Sequence, residues 1–190
     1  VSTTQEELAV SYKAKKFLVW LFVVSSTIMF GGFTSYYLVF EASKGKGHGL
    51  VLPDAFVYST VVLVISSIAL VLAKRSLRLQ QLGKQRLFLW LTFAFGLAFA
   101  YLQFSAAGSL VDTGATFVNN NAAISMIYVL SFLHLVHIVG GLGFITAALV
   151  GNYGNVPADK ANFRQEIASI FWHFIDILWI YLYVFLLLNR

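Results

Sequence analysis

The sequence predicts an all-α protein: a five-helix transmembrane bundle with its N-terminus cytoplasmic and its C-terminus periplasmic. Three observations predict it. The 190-residue chain is 59% apolar and only 11% charged, whereas roughly a quarter of the residues of a soluble domain are charged. Its apolar residues gather into five runs of about 20 residues or more, the length needed to cross a hydrocarbon layer of about 30 Å. Its charges fall almost entirely between those runs, and ten of the 13 Lys and Arg lie on one side of the alternating topology. The positive-inside rule makes that side cytoplasmic. A backbone in lipid must satisfy its own hydrogen bonds, so runs of this length are helices; a barrel would show alternating segments near ten residues.

The elements follow in order. Residues 1–16 form a polar N-terminal extension with Glu6, Glu7, Lys13, Lys15 and Lys16, read as a short surface segment. Residues 17–190 form a single transmembrane domain. Span one, Phe17–Phe40, is too long for a signal-peptide core and lacks a convincing small-residue cleavage site. Gly45, Gly47 and Gly49 loosen the following loop, where the Lys-Gly-Lys-Gly-His-Gly stretch lacks the spacing of a phosphate-binding loop. His48 in that loop reads as solvated. Pro53 and Asp54 suit the first turn of span two, Ala55–Ala73. Lys74, Arg75, Arg78, Lys84 and Arg86 fill the loop to span three, Leu87–Leu110. They read chiefly as topology determinants and also as candidate contacts for lipid headgroups. Asn119–Asn121 cap span four, Ala122–Val150, and span five is Ile167–Leu188. No internal repeat is visible.

Several function classes drop out at once. The net charge of +5 is spent at membrane flanks, which argues against nucleic acid. With no cysteine, disulfides, thiolate metal sites and iron–sulfur ligation are excluded in this chain.

Spans one to three hold no ionisable acid or base. Their polar residues, Ser25, Ser26, Thr27, Ser66 and Ser67, are of the kind that line helix–helix seams in lipid, as are Gly31, Gly32 and Gly96. Gln103, the one amide deep in a span, should bond across to a neighbour. In span four, the Gly140-Gly141-x-Gly143 run with Ala147 marks close helix approach. Trp172 and Trp179 are one heptad apart in span five and pack inward, while Tyr181 and Tyr183 approach the outer interface.

Spans four and five carry the acid–base groups. His134 and His137 are three apart on span four; His173 and Asp176 are three apart on span five, with Ser169 and Glu166 further down the same stripe. A carboxylate at a span centre costs roughly 2.5–3.5 kcal/mol, so Asp176 must face protein, be paired or be protonated. His137 and Asp176 fall near the midpoints of their spans and are expected to be hydrogen-bonded between them. Three readings of this polar cluster stand: a buried clasp fixing helix register, which is preferred; a proton path or ion site; and a bis-histidine haem. The last is the weakest, because His134 and His137 share one helix. No convergent set of three or more metal ligands is apparent.

Phe171-Trp172-His173-Phe174-Ile175-Asp176-Ile177-Leu178-Trp179 closely resembles the W-H-F-x-D-x-x-W signature in the terminal helix of subunit III of haem–copper oxidases. Glu166 matches that family's acid at the start of the helix. Phe132-Leu133-His134-Leu135-Val136-His137 resembles the F-H-x-x-H of its penultimate helix, with a matching glycine run after it. Leu102-Gln103 is similar to the L-Q of the helix before. The resemblance covers all five spans in order and fits the short bacterial type of subunit III. Two positions depart from it: Ser25-Ser26 stand where many relatives have Ser-Glu, and Ala106 where relatives often have an acid.

The resemblance implies a non-catalytic subunit of a terminal oxidase in the bacterial inner membrane. It would stabilise subunit I, bind phospholipid and support proton uptake during aerobic oxygen reduction, with no catalytic, cofactor or metal residue of its own. Haem and copper would lie in partner subunits, the partners being subunit I, subunit II, a small subunit IV and a larger respiratory supercomplex. Two alternatives remain at this point. One is an accessory chain of a nitric oxide reductase of the same family. The other is a stand-alone proton- or ion-conducting protein relaying through Glu166, His173, Asp176 and His137, although transporters often show repeats and broken helices that are not evident here.

Overall fold

The computed structural model describes residues 2–44, 55–112, 122–153 and 157–189. These form five α-helices: α1 (Ser2–Lys44), α2 (Ala55–Arg78), α3 (Leu82–Asp112), α4 (Ala122–Tyr153) and α5 (Ala158–Leu188). Among the described residues there is no strand. Each helix is long and apolar enough to cross a membrane. The expectations for Gly45, Gly47, His48, Gly49, Pro53, Asp54 and Asn119–Asn121 lie outside the described residues.

Every helix overruns its apolar run by several residues on the basic side of the bundle, α2 by continuing past Ala73 to Arg78. The apolar run marks the thickness of the hydrocarbon, whereas helix ends are set by turn chemistry. Lys, Arg, Gln and Glu are good helix formers, so nothing in those flanks stops the helix. The polar leader is accordingly helical, continuous with α1. It is tied to α5 by a stack of Tyr12 on Phe163 with ring centroids 4.4 Å apart and by an ion pair between Lys16 and Glu166.

The loop between α2 and α3 shrinks to the turn 79–81. Gln80 N–H donates to the Leu77 carbonyl and Gln81 N–H to the Ser76 carbonyl, the paired closing bonds of a Schellman turn. Such a turn needs a left-handed residue, and here Gln80 takes it with φ 57°. Arg75 and Arg78 in the last turn of α2 complement the negative end of its dipole. At the start of α5, Pro157 is the N-cap and Asp159 sits in the first turn.

Helices α2, α3, α4 and α5 close a ring in which α3 and α5 each touch both α2 and α4, and α1 lies outside it against α4 and α5. Helix α5 touches three of the other four and is the most buried; α1 is the least. Cross-helix bonds from Lys16 to Glu166, Thr34 to Tyr181 and Tyr37 to Asn189 set α1 parallel to α5.

The closest packing surrounds Trp172. A Cβ at Gly96 of α3 would lie 2.7 Å from its ring and one at Gly141 of α4 would lie 2.9 Å from it and 2.7 Å from Ile175. Only glycine admits an indole so near two backbones. Of the Gly140-Gly141-x-Gly143 run expected to mark close approach, Gly141 is the point of contact and Gly140 and Gly143 are not. A Cβ at Gly140 would lie 3.7 Å from Phe171, an ordinary contact, and one at Gly143 would meet nothing within 4 Å. The seam runs along the adjacent helix face, through Gly141 and Ile145.

Candidate functional site

The polar residues of α5 reach different neighbours at successive heights, and together they form a ladder of ties through the bundle. At the basic end, Glu166 pairs with Lys16 of α1, both side chains about 40% exposed. One residue away, Gln165 accepts a 3.1 Å hydrogen bond from Gln85 of α3, and both amides are buried. Ser169, a turn further in, is buried and makes no hydrogen bond among the described residues.

Trp172 donates through Nε1 to Ser66 of α2 at 3.1 Å, and Ser66 donates in turn to the Thr92 carbonyl of α3 at 3.4 Å. One indole thus links three helices. Trp179 repeats the arrangement two turns on, donating to Thr60 of α2 at 3.0 Å. Gln103 of α3 bonds across to Ser59 of α2 at 3.3 Å, the inter-helix bond expected of a lone amide in lipid.

His173 and Asp176 lie on the α2 side of α5. His173 Nδ1 is 2.9 Å from the Ser67 hydroxyl and 3.6 Å from Asp176 Oδ2. Asp176 is buried, while the His173 side chain is 37% exposed. The Asp176 oxygens close no hydrogen bond of normal geometry among the described residues.

The histidines of α4 face elsewhere. His137 Nδ1 lies 2.7 Å from the Leu133 carbonyl, which can only accept, so this nitrogen carries the proton. Nε2 lies 3.1 Å from the Ser26 hydroxyl of α1, so both ring nitrogens are hydrogen-bonded. Phe22, Phe30, Phe171 and Phe174 surround it. His134, fully buried, forms a triangle of rings with Phe99 and Trp179 at centroid distances of 5.7 and 5.2 Å, with no hydrogen bond to either nitrogen among the described residues.

The five acid–base groups therefore do not form one cluster. The expected bond between His137 and Asp176 is absent, because His137 turns to α1 and Asp176 to α2. Residues three apart on a helix differ by about 60° in direction, enough to face different helices. Glu166 and His173 are half-exposed rather than buried. The geometry disfavours the haem reading: His137 has both nitrogens engaged and His134 is packed against Phe99 and Trp179. No group of three His, Cys, Asp or Glu among the described residues is placed to hold a metal.

The basic flank divides as well. Arg86 donates to the Asn152 carbonyl at the end of α4 and lies over the Tyr153 ring at 4.7 Å, whereas Lys84 is exposed on α3. Lys74, Arg75 and Arg78 line a cavity on α2 together with His173. The residues that the sequence left unmarked are Gln85, Gln165, Thr60 and Asn152. The first, second and last lie outside the apolar runs, and only a helix continuing past the membrane brings them together.

These ties and the ring of spans define a class: a multi-pass membrane protein whose interior polar groups join helix to helix. The family model described as cytochrome c oxidase subunit III matches residues 4–189, and the chain belongs to that family. A cytochrome bo(3) ubiquinol oxidase subunit 3 of Buchnera aphidicola subsp. Baizongia pistaciae is 27% identical, over 89% of this chain and 88% of the relative. A cytochrome c oxidase subunit 3 of Alkalihalophilus pseudofirmus is 28% identical, over 88% and 84%. A ubiquinol oxidase subunit 3 of Pseudomonas aeruginosa is 27% identical, over 85% and 78%.

Proposed function

We infer that this chain is the non-catalytic subunit III of a bacterial haem–copper terminal oxidase. It stabilises subunit I and supports proton uptake while that subunit reduces oxygen in aerobic respiration. The observation that carries the reading is the family match along nearly the whole chain, residues 4–189. Relatives named for quinol and for cytochrome c oxidases match at similar identity, as expected of a subunit that does not touch the electron donor. In this reading haem and copper belong to partner subunits, with subunit I the main contact and subunit II and a small subunit IV beside it. The whole would sit in the inner membrane with the basic end of the bundle in the cytoplasm, as the distribution of Lys and Arg supports.

The ladder on α5 is assigned a clasping role. Its bonds to α1, α2 and α3 hold the helix in register, so that the surface offered to subunit I keeps its shape. A relay along the stripe from Glu166 is disfavoured by Ser169, whose hydroxyl lies between Glu166 and His173 in sequence and bonds to neither.

The test is a mild-detergent pull-down of the tagged chain from its native membrane, read by mass spectrometry and visible spectrum. The expected result is co-purification of a haem-bearing subunit, with the haem bands assigned to that partner. Recovery of the chain alone, conducting ions in vesicles, would overturn the reading.

A further inference from the structure

Gln103 is 6% exposed, and only one end of its amide is accounted for. Nε2 donates to the Ser59 hydroxyl at 3.3 Å. Ser59 gives its own proton to the Phe56 carbonyl, 3.0 Å away, so towards Gln103 it can only accept. That fixes which end of the amide faces Ser59 and leaves the carbonyl oxygen, Oε1, without a hydrogen bond among the described residues. Gln103 lies seven residues, or about 10 Å, inside the end of the apolar run at Leu110, where bulk water does not reach. A buried acceptor left unbonded is costly, so a donor is called for at this point.

The space beside the amide specifies the donor. A cavity of about 20 Å³ lies towards the end of the bundle opposite the basic flank, lined by Phe56 of α2, Gln103 and Ala107 of α3, and Ile127, Tyr128 and Ser131 of α4. About 10–15 Å³ is enough for one water, which needs two to four polar partners. Ser131 makes no hydrogen bond of its own among the described residues, and its hydroxyl can both donate and accept. None of the lining residues is charged, so nothing there offsets the dehydration of an ion. An apolar occupant would leave Oε1 unbonded.

We propose that this cavity is a binding site for a single structural water, which donates to Gln103 Oε1 and is held on its other side by the Ser131 hydroxyl. Arg86 with Asn152 and Trp90 with Tyr153 join α3 to α4 at the basic end. The water joins the same two helices towards the other end, and through Gln103 and Ser59 the tie continues to α2. Phe56 and Ile127, each 3% exposed, wall the molecule off, so it exchanges slowly with bulk solvent. The proposal needs only the packing of α2, α3 and α4 and is independent of which subunits join the complex.

The experiment is radiolytic footprinting of the protein as purified from its membrane, after equilibration in water labelled with heavy oxygen and with a scavenger quenching radicals in bulk solvent. Radiolysis of a bound water makes a hydroxyl radical in place, which oxidises the side chains touching it. Phe56 should take up the label. Phe30, equally inaccessible but not lining the cavity, should not. Ala107→Val fills the space without removing a polar group and should lose the label at Phe56. A wild-type Phe56 signal no higher than that of Phe30 would overturn the proposal, as would a signal undiminished in a folded Ala107→Val protein. Should that variant fail to fold, the wild-type comparison decides by itself. Neither outcome touches the subunit assignment, which is read from the co-purified haem.

Discussion

A methyl group at position 141 would collide with Trp172 and Ile175, while one at position 143 would enter open space. Gly141→Ala should therefore lower the melting temperature of the detergent-solubilised protein, with a net loss of about 1–2 kcal/mol once overpacking is set against helix propensity. Gly143→Ala should be neutral or slightly stabilising. Equal effects at the two positions would contradict the packing described. Ser26→Ala leaves His137 Nε2 buried without its hydrogen-bond partner, at a cost of about 1–3 kcal/mol, measurable in the same melts. Asp176→Ala should reduce assembly or the durability of turnover and leave the haem spectrum per complex unchanged; loss of haem signal would count against a clasp. At this scale the sequence was informative about identity and poor about partners. It marked His137, Asp176, Trp172 and the seam serines as interior polar groups. Spacing on one helix does not say which neighbour lies across from each residue, however, and the partners of His137 and Asp176 differ from those expected.

Hydropathy located all five helices, because about 30 Å of hydrocarbon imposes a length that sequence shows directly. It missed their true ends for the same reason: lipid ceases to act where the headgroups begin, and the helix does not. The extension of α1 back to Ser2 and of α5 to Ala158 brings Lys16 to Glu166 and Tyr12 to Phe163. A half-exposed ion pair adds little, so Lys16→Met should cost less than about 1 kcal/mol. The turn after α2 offers a sharper check. Gln80 occupies a left-handed conformation that disfavours side chains by about 1 kcal/mol relative to glycine, so Gln80→Gly should raise stability by roughly that amount. A destabilised Gln80→Gly variant would show that the turn is held by some other feature.

At the scale of the whole molecule, the four-helix ring with α1 against α4 and α5 is tied helix to helix by bonds from Gln85, Gln103, His137, Trp172, His173 and Trp179. The family match gives those ties a context: a non-catalytic subunit of a terminal oxidase complex. The W-H-F-x-D-x-x-W stretch was legible as a family signature, yet its structural logic appears only in the fold. Trp172 and Trp179 reach α2 and α3 on one side, while the neighbouring phenylalanines box His137 on the other. The most direct measurement compares the oxidase isolated with and without this chain, recording haem and copper per complex, the initial rate of oxygen consumption and the number of turnovers before activity decays. The account predicts unchanged haem and copper and a similar initial rate, with a markedly shorter active life when the chain is missing. Loss of haem or copper in proportion to loss of the chain would contradict it.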